Sequence, residues 1–289
     1  MAGQSATAQV VESARARANG GGVIIAFADS RYVDVLMNWL VGIAAHGIRN
    51  YMVIALDSRL HGFLQERRIP TVLSEVSGDL SSLWVRRIEI FSALCAAGVD
   101  FVHSDADAVW MRDPRAYLDA PDSDLVISQG TVWPPDVHRQ FGFVVCCGLF
   151  RLRSTPNTRR LLADLAVHVA DTGDDQVSLN RMLAAQSFNW QFDQEDAYYL
   201  EGQGIKFLCS RSAINGVGGA GMRVSVLPHH LFQRVPATLD EAPYVQHLLT
   251  SKEPAAKLRE FSRCGCLLLR SDWSQIDFDA TTLARLRHV

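Results

Sequence analysis

The sequence predicts an α/β fold: a wound sheet, parallel in its first half, with helices packed on its faces. Three observations carry that expectation. Short apolar runs at 23–28, 51–56 and 99–102, the last interrupted by Asp100, have the form of strands buried on both faces. Segments between them, 32–46 and 84–97, repeat apolar residues at helical spacing. Strands alternating with helices demand right-handed crossovers, which lay the strands parallel.

Taken in order, residues 4–18 are rich in Ala, Arg and Glu and read as a helix, ended by Asn19-Gly20-Gly21-Gly22. Residues 1–22 form an expected peripheral arm. The first strand, 23–28, ends at Asp29-Ser30. In 32–46, Val35, Leu36, Trp39, Leu40 and Ile43 share one face, and Gly47 closes the helix. Strand 51–56 ends at Asp57-Ser58, and a helix follows over about 61–68, with Pro70 beyond it. Val72-Leu73 is a short strand and 78–82 a loop. Helix 84–97 places Ile88, Phe91, Leu94 and Cys95 together and stops at Gly98. The run 99–102 then leads into His103-Ser104-Asp105-Ala106-Asp107, and a second apolar run, 108–111, follows.

Beyond it, Asp113-Pro114 starts a turn, 125–128 is a strand, 131–140 a loop, and 141–153 is rich in β formers. Residues 158–169 are helical, 171–176 break the pattern, and 177–185 form a helix capped by Asp174 or Asp175. After 187 the pattern weakens to short strands near 190–192, 206–209 and 224–227, a strand candidate at 244–249 and a helix at 253–261. Four glycines between 214 and 221 mark a flexible or tightly turned segment. No repeat, charge block or linker divides the chain, so 23–289 reads as one domain whose second half is the more irregular.

Bulk composition narrows the function. Of 289 residues, 48% are hydrophobic and 20% charged, enough for a sizeable core, and the net charge is −3. No basic excess points to nucleic acid or an anionic membrane surface. No apolar run approaches the ~20 residues of a membrane span, and 1–22 lacks the apolar stretch of a signal peptide, so a cytoplasmic protein is expected. The cysteines, Cys95, Cys146, Cys147, Cys209, Cys264 and Cys266, include no Cys-x-x-Cys and read as reduced buried thiols. No G-x-G-x-x-G follows the first strand, so a dinucleotide site of that kind is not supported.

Asp105 and Asp107 stand at the carboxyl end of a central strand, where open α/β sheets bind ligands. Two hard oxygen donors at i and i+2 can reach one divalent cation, which in turn can bridge to phosphates. One reading is a metal–diphosphate clamp for a sugar nucleotide. A second is a phosphatase of the haloacid-dehalogenase type, with Asp105 as nucleophile and Asp107 as acid/base, and Asp174-Asp175 as its late acidic motif. Against it, at least two strand–helix units precede the pair, Asp174-Asp175 lies between helices, and an apolar Val-Trp-Met run follows. A third is that both aspartates cap a turn, although carboxylates flanked by apolar strand repel each other without a cation.

Phe101-Val102-His103-Ser104-Asp105-Ala106-Asp107-Ala108-Val109-Trp110-Met111-Arg112-Asp113-Pro114 resembles the DxD region of the nucleotide-diphospho-sugar transferases of glycosyltransferase family 77. Asn38-Trp39-Leu40, Ala55-Leu56-Asp57, Leu152-Arg153-Ser154-Thr155 and Asp175-Gln176 resemble further family segments in the same order, so the likeness spans about 23–185. It implies a GT-A fold, a Rossmann-like mixed sheet flanked by helices. It further implies transfer of a sugar from a nucleotide-diphosphate donor, UDP-linked, with retention and with Mn2+ or Mg2+. Residues 23–150 would bind the nucleotide sugar and 151–289 an acceptor, which could be a glycan, a protein or a small molecule. Where the family has Asn-Thr-Gly, this chain has Cys146-Cys147-Gly148. The membrane anchor of many eukaryotic relatives is not read in this sequence.

The resemblance also implies roles. Asp105 would bind ribose or sugar hydroxyls, or the metal through water, and Asp107 would be the stronger metal ligand. His247 would complete the site, an imidazole suiting Mn2+ better than Mg2+; a core histidine is its other reading, with His229 and His230 as substitutes. Lys252 and Lys257 would hold the leaving diphosphate or remain solvated. Arg87, beside Arg86, would lie near the DxD or the phosphates. Ala26, Phe27, Ala28 and Asp29 would meet the base and ribose, Asp29 otherwise capping a turn, and Tyr32 would stack on the base. Asp175 would sit near the reacting carbon, stabilising oxocarbenium-like charge or binding hydroxyls, or else cap a helix; Gln176 would do likewise. No covalent nucleophile is assigned. Trp133, His138 and 214–221 are candidates for acceptor contact or a closing lid. The expectation is a metal-dependent retaining glycosyltransferase, with the phosphatase or a catalytically silent sugar-nucleotide binder as alternatives.

Overall fold

The computed structural model describes residues 5–20, 22–76, 79–119, 122–202, 204–237 and 241–269. Helix α1 (Ala6–Arg17) leads into β1 (Val23–Ala28), and α2 (Val33–Ala45), β2 (Tyr51–Ala55), α3 (Ser58–Glu66), β3 (Thr71–Leu73) and α4 (Leu80–Ala96) follow. Then come β4 (Phe101–Ser104), β5 (Val109–Trp110), α5 (Arg115–Leu118), β6 (Leu125–Gln129), α6 (Pro135–Phe141) and β7 (Val145–Leu152). Helices α7 (Pro156–Thr172) and α8 (Asp175–Ala185) precede β8 (Asn189–Gln191), β9 (Ala197–Gly202), β10 (Ile205–Ser210), β11 (Ile214–Val217) and β12 (Arg223–Leu227). β13 (Phe232–Gln233), β14 (Val245–Gln246) and α9 (Pro254–Arg263) end the described elements.

The main sheet runs β3-β2-β1-β4-β7-β6-β12-β11-β8. β3, β2, β1 and β4 are parallel, as the alternating pattern requires. β7 enters antiparallel between β4 and β6, which makes the sheet mixed. Because strand side chains alternate, β1 sends Val23, Ile25 and Phe27 into one apolar layer and Ile24, Ala26 and Ala28 into the other. A small second sheet, β13-β14-β5, pairs Gln246 with Val109 antiparallel. A separate β9–β10 hairpin lies apart from both. Among the described residues, no helix is long and apolar enough to cross a membrane.

The structure departs from the sequence reading where local chemistry or packing outweighs periodicity. The arm is not peripheral: α1 packs on α4, with Val10 and Ala14 fully buried. Helix α4 begins at Leu80, inside the expected 78–82 loop, because the Asp79 carboxylate caps Ser82 N–H; residues 77–78 lie outside the described set. Asp57 likewise starts α3 early by capping Leu60 N–H. The 131–140 loop contains α6, started by Pro135 at its first position and closed by Gly142 at φ 80°. The glycine-rich 214–221 segment is partly regular. Its first half is strand β11, where Gly216 lets Trp190 lie so close that a Cβ would come within 2.4 Å of the indole. Strands β9 and β11 have no clear apolar period and were not read from sequence. The 244–249 strand shrinks to Val245–Gln246.

Asn38, fully buried on α2, ties the segment after α9 to the body. Its Nδ2 donates to the Cys266 carbonyl, and its Oδ1 accepts from Leu268 and Leu269 N–H. Asn38→Ala strands those backbone groups, so we expect a loss of about 2–3 kcal/mol in urea unfolding.

Candidate functional site

The site forms where β4 runs out. Beyond Ser104 the chain turns through Asp105-Ala106-Asp107, with the Asp105 N–H donating to the Gly148 carbonyl on β7 (2.7 Å) and the Ala108 N–H to the Asp105 carbonyl (3.0 Å). Ser104 fixes the strand end: its hydroxyl accepts from both Trp39 Nε1 (2.9 Å) and Trp110 Nε1 (3.2 Å). The β14–β5 register then carries His247, one residue past Gln246, up to the pair. His247 Nε2 lies 3.3 Å from Asp107 Oδ1 and 3.7 Å from Asp105 Oδ2. One ligand atom from each of Asp105, Asp107 and His247 falls within 4.8 Å of the others.

Gly148 makes this approach possible. A Cβ there would lie 2.0 Å from His247 Cε1 and 2.7 Å from Asp105 Oδ2. Two carboxylate oxygens and an imidazole nitrogen that converge in this way fit a divalent cation such as Mn2+, which takes oxygen donors and tolerates an imidazole.

The remaining charges compensate these carboxylates. Arg87 on α4 donates from Nη1 to Asp105 Oδ1 (2.9 Å) and from Nη2 to Asp175 Oδ2, bridging the two, with its side chain only 7% exposed. Burial alone would raise Asp105, but Arg87 and the His103 hydrogen bond hold it well below the usual carboxylate range. Burial also opposes the charge on Asp107, and His247 and Lys257 outweigh it, so its pKa too is held low. Lys257 Nζ donates to Asp107 Oδ2 at 2.5 Å and reaches Thr250 Oγ1 at 3.3 Å. For Asp175, burial wins over the shared Arg87 and raises the carboxyl. Burial and Arg234 act to lower His247, but Asp107 and Cys146 prevail and lift it to about 9 in the absence of an ion.

Asp105, Asp107, His247, Arg87, Asp175 and Lys257 are thus brought together. The helix cap before α8 is Asp174, which accepts from Val177 N–H, so Asp175 is not the capping residue. Gln176 points elsewhere, its amide donating to the Trp133 carbonyl (3.0 Å). Tyr32 is half-buried near the pair: after burial, the charges of Asp107 and Asp105 are what raise its pKa, and its hydroxyl donates to the Lys252 carbonyl. Lys252 itself is exposed, with Nζ 5.1 Å from the Trp84 ring centroid rather than on the aspartates.

Ala26, Phe27 and Ala28 do not present side chains to a ligand, being buried in the two core layers. Asp29 caps the turn after β1, accepting from Arg31 and Tyr32 N–H and pairing with the Arg31 guanidinium. Arg86 turns to Ser74 and Glu89. The substitute His229 lies in the core between Tyr198 and the Arg234 N–H, and neither it nor His230 joins the cluster. Trp133 is 55% exposed and His138 lies on α6.

Three supporting residues were not singled out from sequence. His103 Nε2 sits 3.0 Å from Asp105 Oδ1, and the strand period of two, which puts 103 and 105 on one side, was the available signal. Gly148 keeps the glycine of the family's Asn-Thr-Gly, and a glycine within a strand often marks a close approach. Asn180 on α8 brackets Val145, its side chain accepting from the Val145 N–H and donating to the carbonyl, and so holds the start of β7.

Residues 46–260 match the family described as nucleotide-diphospho-sugar transferase. Over 158 residues, 48% of this chain, the sequence is 22% identical to Arabinosyltransferase XEG113 of Arabidopsis thaliana, and the match spans 24% of that protein. The glycosyltransferase GlyE of Streptococcus pneumoniae TIGR4 superposes with a TM-score of 0.51 at 14% identity, over 92% of this chain and 63% of that one. The galactosyltransferase LgtC, solved with donor and acceptor sugar analogues, superposes with a TM-score of 0.50 at 11% identity, over 87% and 98%. At such identities these structures speak for the fold.

Gly148→Ala should drive His247 off the pair. We expect Mn2+ binding, followed by electron paramagnetic resonance, to weaken by about 10²-fold or more, with a stability loss of about 1–3 kcal/mol from overpacking. Arg87→Met leaves two carboxylates without their partner and should cost about 3–5 kcal/mol in chemical denaturation.

Proposed function

The chain belongs to the nucleotide-diphospho-sugar transferase family and has the GT-A fold, and from that premise we propose that it is a metal-dependent, retaining glycosyltransferase with a UDP-sugar donor. The observation that carries the proposal is the convergence of Asp105, Asp107 and His247 at the carboxyl end of β4. These three would hold Mn2+, or Mg2+, which when bound would neutralise the diphosphate and stabilise it as a leaving group. The UDP assignment rests on the resemblance carried by residues 101–114.

The chain's own groups divide the rest of the task. Arg87 fixes the Asp105 carboxylate, leaving Oδ2 facing the site. Lys257, buried against Asp107, supplies positive charge where a diphosphate would accumulate negative charge. Asp175 stands across Arg87 from Asp105, and a carboxyl beside the reacting carbon would bind sugar hydroxyls or stabilise positive charge there. Retention is supported by the state of that carboxyl. Inversion needs a carboxylate free to take the acceptor's proton, whereas Asp175 is buried and held by Arg87. In a front-face transfer, the departing phosphate takes that proton instead.

The donor reading of 23–150 and the acceptor reading of 151–289 then share the site, because Asp175, His247 and Lys257 come from the second half. The phosphatase reading is weaker still on this geometry. A nucleophilic Asp105 would have to attack through Oδ2, since Oδ1 is held by Arg87 and His103, and Oδ2 is the oxygen turned to His247 and the proposed cation.

A thermal-shift panel of sugar nucleotides with Mn2+ and with EDTA tests the proposal. A UDP-sugar at ~100 times its Kd should stabilise the protein by about 2.7 kcal/mol with metal only. Asp107→Ala should remove that metal-dependent stabilisation and lower nucleotide release from the donor by about 10²–10³-fold. Unchanged binding and turnover would refute the clamp. Rapid phosphate release from a generic phosphomonoester would favour the phosphatase, and stabilisation without turnover the silent binder.

A further inference from the structure

We propose that Cys146, the residue standing in place of an amide in the family pattern, is a positioning residue that sets the ring orientation and tautomer of His247. The inference rests on the metal reading of Asp105, Asp107 and His247 given above.

The two nitrogens of the His247 ring face different partners. Nε2 points at the aspartates, 3.3 Å from Asp107 Oδ1 and 3.7 Å from Asp105 Oδ2. Nδ1 points the other way, 3.7 Å from Cys146 Sγ, within hydrogen-bond range for sulfur. Cys146 is 2% exposed, so its sulfur is a dry and fixed partner. A histidine that ligates through one nitrogen generally gives the hydrogen on the other to an acceptor, which fixes the tautomer and the ring angle. Here the Nδ1–H would be donated to sulfur, leaving the Nε2 lone pair directed at the space shared with the two aspartates.

The backbone does not fix the ring by itself. The His247 N–H donates to the Gln233 carbonyl (2.9 Å), and Arg234 Nη1 donates to the His247 carbonyl (2.6 Å). These bonds hold the main chain and leave the side-chain torsions open. Gly148 limits the ring from one side only by the absence of a Cβ. Cys146 and Gly148 lie two residues apart on β7, so both act on His247 from the same face of that strand. Sulfur is a large, weak acceptor, and the 3.7 Å separation lies within its hydrogen-bond range.

The experiment measures Mn2+ binding directly, by electron paramagnetic resonance of the free ion, in the wild type and in Cys146→Ser, Cys146→Ala and Cys146→Val. Circular dichroism melting in EDTA checks that each variant folds; Val fills the volume of the thiol without an acceptor, and serves if the Ala variant does not fold. We expect Ala and Val to weaken Mn2+ binding by about 10–100-fold and Ser, which keeps an acceptor, to restore most of it. Co2+-loaded wild type should show no sulfur-to-cobalt charge-transfer band. Ala or Val binding Mn2+ as tightly as the wild type would overturn the inference while leaving the metal reading standing. A Ser variant as weak as Ala would overturn it too, by showing that an acceptor does not restore the site. A charge-transfer band would replace it with direct ligation by Cys146. A wild type that takes up no Mn2+ would overturn both readings.

Discussion

Three carboxylates converge where β4 ends, and the buried guanidinium of Arg87 is what allows it. Asp105 and Asp175 approach from different elements, one after a strand and one in the first turn of α8, and Arg87 joins them from α4. Without that shared cation, burial would favour the neutral form of both acids, and if both stayed charged their repulsion would open the site. Lys257 and His247 do the same for Asp107 from the far side. The site is therefore a charge-compensated cluster assembled from distant parts of the chain, and its geometry depends on helices α4 and α9 being anchored.

That anchoring explains features otherwise remote from the chemistry. Helix α4 packs on α7 and α1, and the buried Val10 and Ala14 of α1 belong to the same apolar layer as Ile88, Phe91 and Leu94. Asn38 ties down the segment after α9, so the helix carrying Lys257 has a fixed base as well as a fixed start. The antiparallel entry of β7 matters as much. It lies beside β4 with Ser104 opposite Leu149, which puts the bare Cα of Gly148 next to Asp105 and opens room for an imidazole. A parallel strand in that place would bring in its residues from the opposite direction and with a different register.

Much of the first half was legible because its signals are local. Buried parallel strands leave apolar runs, so β1, β2 and β4 can be read from 23–28, 51–56 and 99–102, although Asp100 interrupts the last. Asp105 and Asp107 follow directly from such a run, and the segment through Pro114 is distinctive enough to single out a family. The second half was less legible. Its strands are short and half-exposed: β8 is the edge strand, and β11 alternates buried and exposed residues over only four positions, too few to stand out as a period. Caps also escaped the periodicity reading, so Asp57 and Asp79 start helices earlier than their apolar faces suggest. The strand-end residues Ala26, Phe27 and Ala28 turn their side chains into the two core layers, a direction that sheet packing fixes and the apolar run alone does not record.

By itself, the sequence determined the wound α/β core, the strand that ends in Asp105 and Asp107, and the chemistry that two neighbouring carboxylates demand. Those features depend on residues close together in the chain, where the periods of strand and helix govern. Only the tertiary structure decided which cations answer the carboxylates. Arg87 is shared between Asp105 and Asp175, Lys257 falls to Asp107 while Lys252 rests on Trp84, and His247 reaches the pair through the β14–β5 register. It also decided that Asp174 takes the cap and so leaves Asp175 to the site. These partners lie up to 150 residues apart, and their meeting is set by sheet order and close packing, which no local pattern records.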